Sequence, residues 1–219
     1  MITLQDVKNN PIIDSFIRKG NEYLGVMGFT EHSYRHLDLV STIAYSILNE
    51  LGYPQRNAEL AAIAGYLHDI GNVISRNEHG ISGANLCFPI LVTMGMPPEE
   101  VAVVISAIAN HEESHGQPVT EVAAALIVAD KSDVHRTRVR NPDFVTFDIH
   151  DRVNYAVEKA SLKVVSARRT ITMDLSIDIS ICPVMEYFEI FLTRMMLCRR
   201  AANFLNCNFE LVINGSKLL

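Results

Sequence analysis

The feature that most constrains this chain is the dipeptide His68-Asp69, placed at the end of the apolar stretch 58–67 and followed by Ile70-Gly71-Asn72. An imidazole and a carboxylate at the end of a helix that must be buried cost on the order of several kcal/mol unless both are compensated. Packing does not explain such a pair, whereas ligation of a metal ion does. Gly71 offers the left-handed position that ends a helix.

The chain to either side reads as helices that deliver further ligand-type residues. Asn10-Pro11 is an N-cap followed by proline at the first helical position, and the helix it opens runs to Gly28. Thr30 caps a second helix, with apolar residues Leu39, Val40, Ile43, Ile47, Leu48 and Leu51 at helical spacing before Gly52 and with His32 and His36 near its start. Pro54 opens a third, which ends at His68-Asp69. A fourth begins near His79 or Ile81, contains Pro89 and runs towards Gly95. Pro97-Pro98-Glu99-Glu100 starts a fifth that reaches His111, and a sixth over 121–134 carries Asp130 and Lys131. The segment 148–162 reads as a seventh.

Beyond Val165 the period changes. Ile171, Met173, Leu175, Ile177, Ile179 and Ile181 alternate with polar residues as in a strand, a helix follows over 183–206, and Phe209, Leu211 and Ile213 alternate again before Asn214-Gly215. Met185, Tyr187, Phe188, Phe191, Met195 and Met196 read as the buried face of that helix. The expected fold is mainly α, a helical bundle core with a small C-terminal strand-helix-strand (α+β) appendage, divided softly into 1–163 and 164–219.

Composition limits the partners. A net charge of −6 over 219 residues argues against a general nucleic-acid surface, and duplex nucleic acid is not expected. The positive charge is local: Lys131, Arg136, Arg138 and Arg140 form one cluster, which suits a small phosphorylated ligand. Cys87, Cys182, Cys198 and Cys207 form no CxxC pair and read as reduced, buried thiols. The apolar runs fall short of the ~20 residues that span a bilayer, so a soluble, cytoplasmic protein without a membrane partner is expected.

His36, His68, Asp69, His79, His111 and Asp130 therefore make a donor set of imidazoles and carboxylates suited to borderline divalent ions, iron, manganese, zinc or cobalt. They outnumber one tetrahedral site, and Asp69, flanked by two groups of histidines, is the natural bridge between two ions. His150-Asp151 imitates the dipeptide but sits where acids favour a helix start.

The order His36, His68-Asp69, Asp130 resembles the H...HD...D signature of the HD superfamily of metal-dependent phosphohydrolases, over about residues 30–140. His79-Gly80-Ile81-Ser82-Gly83-Ala84 is similar to the family's HxxxGA segment, and 108–112 to its later histidine. Together they resemble the six-ligand, two-metal subset, with an HD core similar to that of ribonuclease Y. The resemblance implies that His36, His68, Asp69 and Asp130 hold one metal, and that His79, His111 and the other oxygen of Asp69 hold the second. Two divalent ions are implied, iron or manganese first, with zinc, cobalt or nickel as alternatives. Many members have lysine where this chain has Asn72, which leaves Arg76 and Lys131 as substitutes for a phosphate contact. The segment 111–118 lacks the HHExxxGxGYP pattern of the cyclic-dinucleotide branch, so neither that substrate nor a third metal is implied.

The reaction expected is hydrolysis of a phosphomonoester, phosphodiester or phosphoanhydride, nucleotide-like, by a metal-bound hydroxide at a binuclear site. Asp69 and His68 stand at the centre of the catalysis, and Lys131, Arg136, Arg138, Arg76 and His32 are the candidate substrate contacts. The same ligand set also fits a di-iron oxygenase acting on a small phosphorylated or polyol substrate, or a catalytically silent signalling module. The C-terminal strands are expected to pair with each other, with an interface for a homodimer.

Overall fold

The computed structural model describes residues 1–141, 143 and 146–219. These form nine α-helices, α1 (Leu4–Lys8), α2 (Pro11–Val26), α3 (Tyr34–Glu50), α4 (Gln55–Leu67), α5 (His79–Thr93), α6 (Pro98–Ala109), α7 (Glu121–Ser132), α8 (Ile149–Ala156) and α9 (Val184–Phe204). Four strands complete them, β1 (Val157–Val165), β2 (Thr170–Ile177), β3 (Asn208–Ile213) and β4 (Ser216–Lys217).

A helix that is apolar on every side must sit inside, and α4 and α7 form the centre of the bundle. In α7 every residue from Val122 to Ser132 is buried. Thr120 starts it, its hydroxyl accepting from the Ala123 amide at 3.0 Å. The helices α3, α4, α6 and α9 all pack on α7. The close fit of α3 on α4 depends on Gly65, whose missing Cβ would lie 2.9 Å from the Cα of Ser41. At the start of α4, Arg56 grips both carboxylate oxygens of Glu100 (2.8 and 2.5 Å) and so ties α4 to α6.

The C-terminal strands form one sheet in the order β1-β2-β3-β4. β2 and β3 pair in parallel and α9 is the crossover between them, while β1 pairs antiparallel to β2. Asn214 and Gly215 both take left-handed φ (51° and 79°), which makes the tight turn from β3 to β4. The apolar faces of this sheet and of α9 are continuous with the helical core, and the boundary expected near residue 163 falls inside β1.

Several elements differ from the sequence reading. The second helix starts at Tyr34, after Ser33, so Thr30 is not its cap and His32 lies in the preceding loop. The segment 148–162 is not one helix: α8 ends at Ala156 and the chain continues as β1. The strand expected to reach Ile181 stops at Ile177, and Ile179 is exposed. On α9, Tyr187, Phe191 and Met195 are buried as expected, but Met185 and Met196 face outward. All four cysteines are free and buried, and among the described residues no helix is long and apolar enough to cross a membrane.

Gly71 is also used differently. It is not in the left-handed region; it lies in a 3₁₀ turn (Ile70–Val73) that runs against the start of α5. A Cβ there would sit 2.0 Å from the carbonyl oxygen of His79 and 2.5 Å from the amide of Gly83, both rigid backbone atoms. Gly71→Ala should therefore destabilise the fold by about 3 kcal/mol or more, read as a fall in the urea midpoint with little change in slope. A change below about 1 kcal/mol would show that this contact relaxes easily.

Candidate metal centre

The ends of five helices meet at one point. α4 runs out into His68 and Asp69, α6 into His111, α7 delivers Asp130 in its last turn, and α3 and α5 contribute His36 and His79 from their first turns. The last-turn carbonyls of α4 and α6 lack intrahelical donors, and two of the imidazoles supply them. His68 Nδ1 donates to the Gly65 carbonyl at 2.8 Å, and His111 Nδ1 donates to that of Ile108 at 2.6 Å. His79 Nδ1 lies 3.0 Å from the Arg76 carbonyl, and His36 Nδ1 donates to Asp133 Oδ2 at 2.7 Å. Each ring thus has an acceptor at Nδ1 and turns Nε2 towards the common centre, the arrangement expected of metal-binding histidines.

The donors fall into two groups that share Asp69. His36 Nε2 and His68 Nε2 are 3.2 Å apart, and each lies 3.3–3.5 Å from Asp69 Oδ2 and from Asp130 Oδ1. His79 Nε2 lies 3.2 Å from the other oxygen, Asp69 Oδ1, and 3.1 Å from His111 Nε2. Donors bound to one ion at ~2.1 Å are separated by about 3.0 Å at right angles and about 3.4 Å in a tetrahedron. Both groups have these spacings. Asp69 Oδ2 is fully buried and makes no hydrogen bond of good geometry, although His68 Nε2 is 3.3 Å away. An orphaned buried carboxylate oxygen beside converging ring nitrogens is what a cation would satisfy, and the residues present fit a divalent ion, with His36, His68 and Asp130 in one close cluster and His68, Asp69 and His111 in another.

The charges agree with this. Burial alone would raise Asp69 and Asp130, yet both are held well below the usual carboxylate range, Asp69 chiefly by His68 and Asp130 by Lys131 and His68. Burial works against a charged His68, but Asp69 and Asp130 outweigh it and push the ring up to about 10. His111 goes the other way, depressed by burial and by the neighbouring His79 and His68. In the absence of metal, a proton on His68 offsets the carboxylates.

An open cavity of about 630 Å³ lies over this centre. Arg76, His32, Lys131 and Arg138, four of the five candidate substrate contacts, line it. Arg76 Nη1 lies 3.3 Å from Asn72 Oδ1 and 3.8 Å from Asp69 Oδ1. Lys131 is salt-bridged to Asp130 Oδ2. His32, from the loop and not from a helix face, donates Nδ1–H to the Thr30 carbonyl and brings Nε2 within 3.9 Å of Asp69 Oδ2. Two of the anticipated substrate contacts are differently engaged. Arg138 spends its guanidinium on the backbone carbonyls of Glu31 and Asp133. Arg136 does not line the cavity; it bonds Glu158 and lies over the Tyr155 ring.

Some residues of the site have partners that the sequence did not show. Asn72, at the position where lysine was the alternative, donates to Asp69 Oδ1 at 2.9 Å and fixes the shared carboxylate. Glu112 accepts from the Gly80 amide at 2.6 Å and lies 3.4 Å from His79 Nδ1. His150 and Asp151 are not among the converging donors, but they line the cavity with Asn154 of α8 and with Asp148, which caps that helix, and α9 adds Phe191 and Arg194.

The family model of the HD domain matches residues 31–134, a span that contains all six converging donors. The chain carries an HD domain. An uncharacterised protein of Methanocaldococcus jannaschii is 26% identical over 186 residues, which cover 74% of this chain and 71% of that protein. Among solved structures, a predicted HD superfamily hydrolase from an uncultured Thermotogales bacterium is similar at 25% identity and a TM-score of 0.45, over 57% of this chain and 67% of its own. The α8 and α9 walls of the cavity lie outside the matched HD segment.

Two outcomes follow for metal binding. Asp133→Ala frees the ring of His36 and should weaken metal affinity by about 10- to 100-fold, measured by competition with a chelating dye; unchanged affinity would make Asp133 irrelevant to the centre. Because His68 is held charged up to about pH 10 in the metal-free protein, an ion must displace its proton, so affinity rises with pH by about tenfold per unit through neutrality. Calorimetry of manganese binding in buffers of different ionisation enthalpy reads the released proton directly, and no release would contradict a charged His68.

Proposed function

We propose that this protein is a metal-dependent phosphohydrolase with a binuclear centre, iron or manganese, and that it cleaves a phosphoester or phosphoanhydride of a small, nucleotide-like substrate. The observation that carries the reading is the division of Asp69: one carboxylate oxygen faces His36 and His68, which also face Asp130, and the other faces His79, whose Nε2 lies beside that of His111. Two divalent ions held there would activate water at neutral pH and neutralise phosphoryl oxygens. A cavity of about 630 Å³ is of the size that takes a nucleotide-like ligand.

The chain's own residues would divide the remaining work. Asp69 sets the separation of the two groups, with Asn72 fixing the orientation of its Oδ1. Arg76, beside His79, and Lys131, beside Asp130, stand at different donor groups and would orient the non-reacting oxygens of the phosphoryl group. His32, with Nδ1 committed to Thr30, keeps Nε2 available to accept a proton or a hydrogen bond close to Asp69. Arg138 holds the loop that carries His32, because it clamps the Glu31 carbonyl.

His111→Ala removes the ring nitrogen that stands 3.1 Å from His79 Nε2. Metal content measured by atomic emission should fall to about one ion per chain, and manganese-supported hydrolysis of p-nitrophenyl phosphate should fall by more than the ~100-fold that loss of an outer partner costs. Full loading with normal turnover would remove His111 from the centre. A fully loaded wild-type protein that cleaves no phosphate ester across a nucleotide panel would sink the hydrolase reading.

A further inference from the structure

The side chain of Arg194 reaches the cavity from α9, outside the matched HD segment, and is held there from two sides. Its guanidinium carbon lies 4.2 Å from the centre of the Phe191 ring, and its Nε donates to Glu113 Oε1 at 2.8 Å. Phe191 is buried against the ring of Tyr187, 5.1 Å between centroids, so the platform under the guanidinium is fixed. Glu113 in turn lies 4.0 Å from Lys131 Nζ, and Lys131 is bound to the ligand Asp130. A row of alternating charges therefore joins the metal centre to α9.

This row commits one edge of Arg194 and leaves the other. Among the described residues no hydrogen bond is recorded for its Nη1 or Nη2, whereas the guanidinium of Arg138 is spent on backbone carbonyls and Lys131 on Asp130. A guanidinium with a free planar edge, already stacked and already tethered, binds a carboxylate or phosphate with little further loss of side-chain freedom.

We propose that Arg194 is a specificity residue that binds a second anionic group of the substrate, apart from the phosphoryl group at the metal centre. The inference rests on the phosphohydrolase reading and narrows it: the preferred substrate carries at least two anionic groups, as a nucleoside diphosphate or a bis-phosphorylated metabolite does. The C-terminal unit then selects the substrate while the HD domain supplies the reacting centre.

Binding of non-hydrolysable probes to the manganese-loaded full-length protein tests this. The probes are methylphosphonate, which has one anionic group, and methylenediphosphonate and propane-1,3-diphosphonate, which have two at different spacings. The wild-type protein should bind at least one bis-phosphonate more tightly than methylphosphonate. Arg194→Gln should remove that advantage, a loss of at least about tenfold, while methylphosphonate affinity and metal content stay unchanged. Arg194→Lys keeps a charge beside Glu113 and loses only the planar fork, so it should fold and show an intermediate loss; it carries the test if Arg194→Gln does not fold. Equal weakening of mono- and bis-phosphonates, or no weakening of either, would assign Arg194 to structure alone and overturn the proposal. A loaded wild-type protein that binds none of the probes would overturn the phosphohydrolase reading as well, and the two failures are distinguished by the wild-type titration.

Discussion

Everything near the centre of this molecule answers to one buried carboxylate. Asp69 sits at the end of an apolar helix with its two oxygens facing different groups of imidazoles, and Oδ2 has no hydrogen bond of its own. Burying an unsatisfied charged oxygen is among the costliest things a fold can do. The surrounding groups reduce that cost without removing it. Asn72 donates to Oδ1, His68, 3.3 Å from Oδ2, is pushed towards its charged form by Asp69 and Asp130, and Arg76 stands at 3.8 Å from Oδ1. Asp130 has the same difficulty and meets it with Lys131. A centre built of carboxylates, and of rings whose other nitrogens already have acceptors, is organised around positive charge that the side chains supply only in part.

The scaffold makes this tolerable because its rigidity lies next to the site. The two central helices are buried on every side over their C-terminal halves and end at the donors, so the donor positions inherit the precision of the core. Glycines take up the closest approaches: Gly71 lets the 3₁₀ turn lie against the start of α5, and at Gly80 a Cβ would stand 2.9 Å from the Ile108 carbonyl, beside His111. Glu78 adopts a left-handed φ of 54° immediately before His79, which turns the chain into α5 so that its first residue faces the site. Such strain in a non-glycine residue persists only where the surroundings enforce it.

How far the sequence could be read depended on how local each signal was. His68-Asp69 stood out because a charged pair at the end of a buried helix contradicts packing within five residues of chain. The helices around it were legible from caps and period. Asp133 and Glu112 were not, because an acid becomes an outer partner only through a contact made across the fold, as Asp133 does with His36, 97 residues away, whereas Asn72 lies only three residues from Asp69 and stood out in sequence only for the lysine it replaces. The segment 148–162 misled for a different reason. Val153, Ala156, Val157 and Ala160 recur at helical spacing, but from Val157 onward the backbone finds a partner in β2, and pairing across the sheet decides its state. Arg194 lay furthest from view: nothing in the apolar pattern of α9 says that Phe191 and Arg194 turn towards a cavity whose floor is built some sixty residues and more earlier in the chain.

The charge of that cavity gives the parts an order. Among the described residues it is lined by seven carboxylates and four lysine or arginine side chains, so without metal it is net negative and repels a phosphoryl group. On the proposed reading, two divalent ions would reverse the sign, and the reversal would be steep because the donors are buried where solvent screens little. On the proposed reading, metal and substrate therefore bind in sequence, with the ions creating the potential that admits the anion. The lining acids then have a use beyond ligation. Glu113 and the acids of α8 keep the mouth from becoming a general anion trap, so an anion gains most where its groups meet the metal centre and the free edge of Arg194 together. Selectivity in such a site comes from the spacing of positive charge within an acidic wall, more than from its amount.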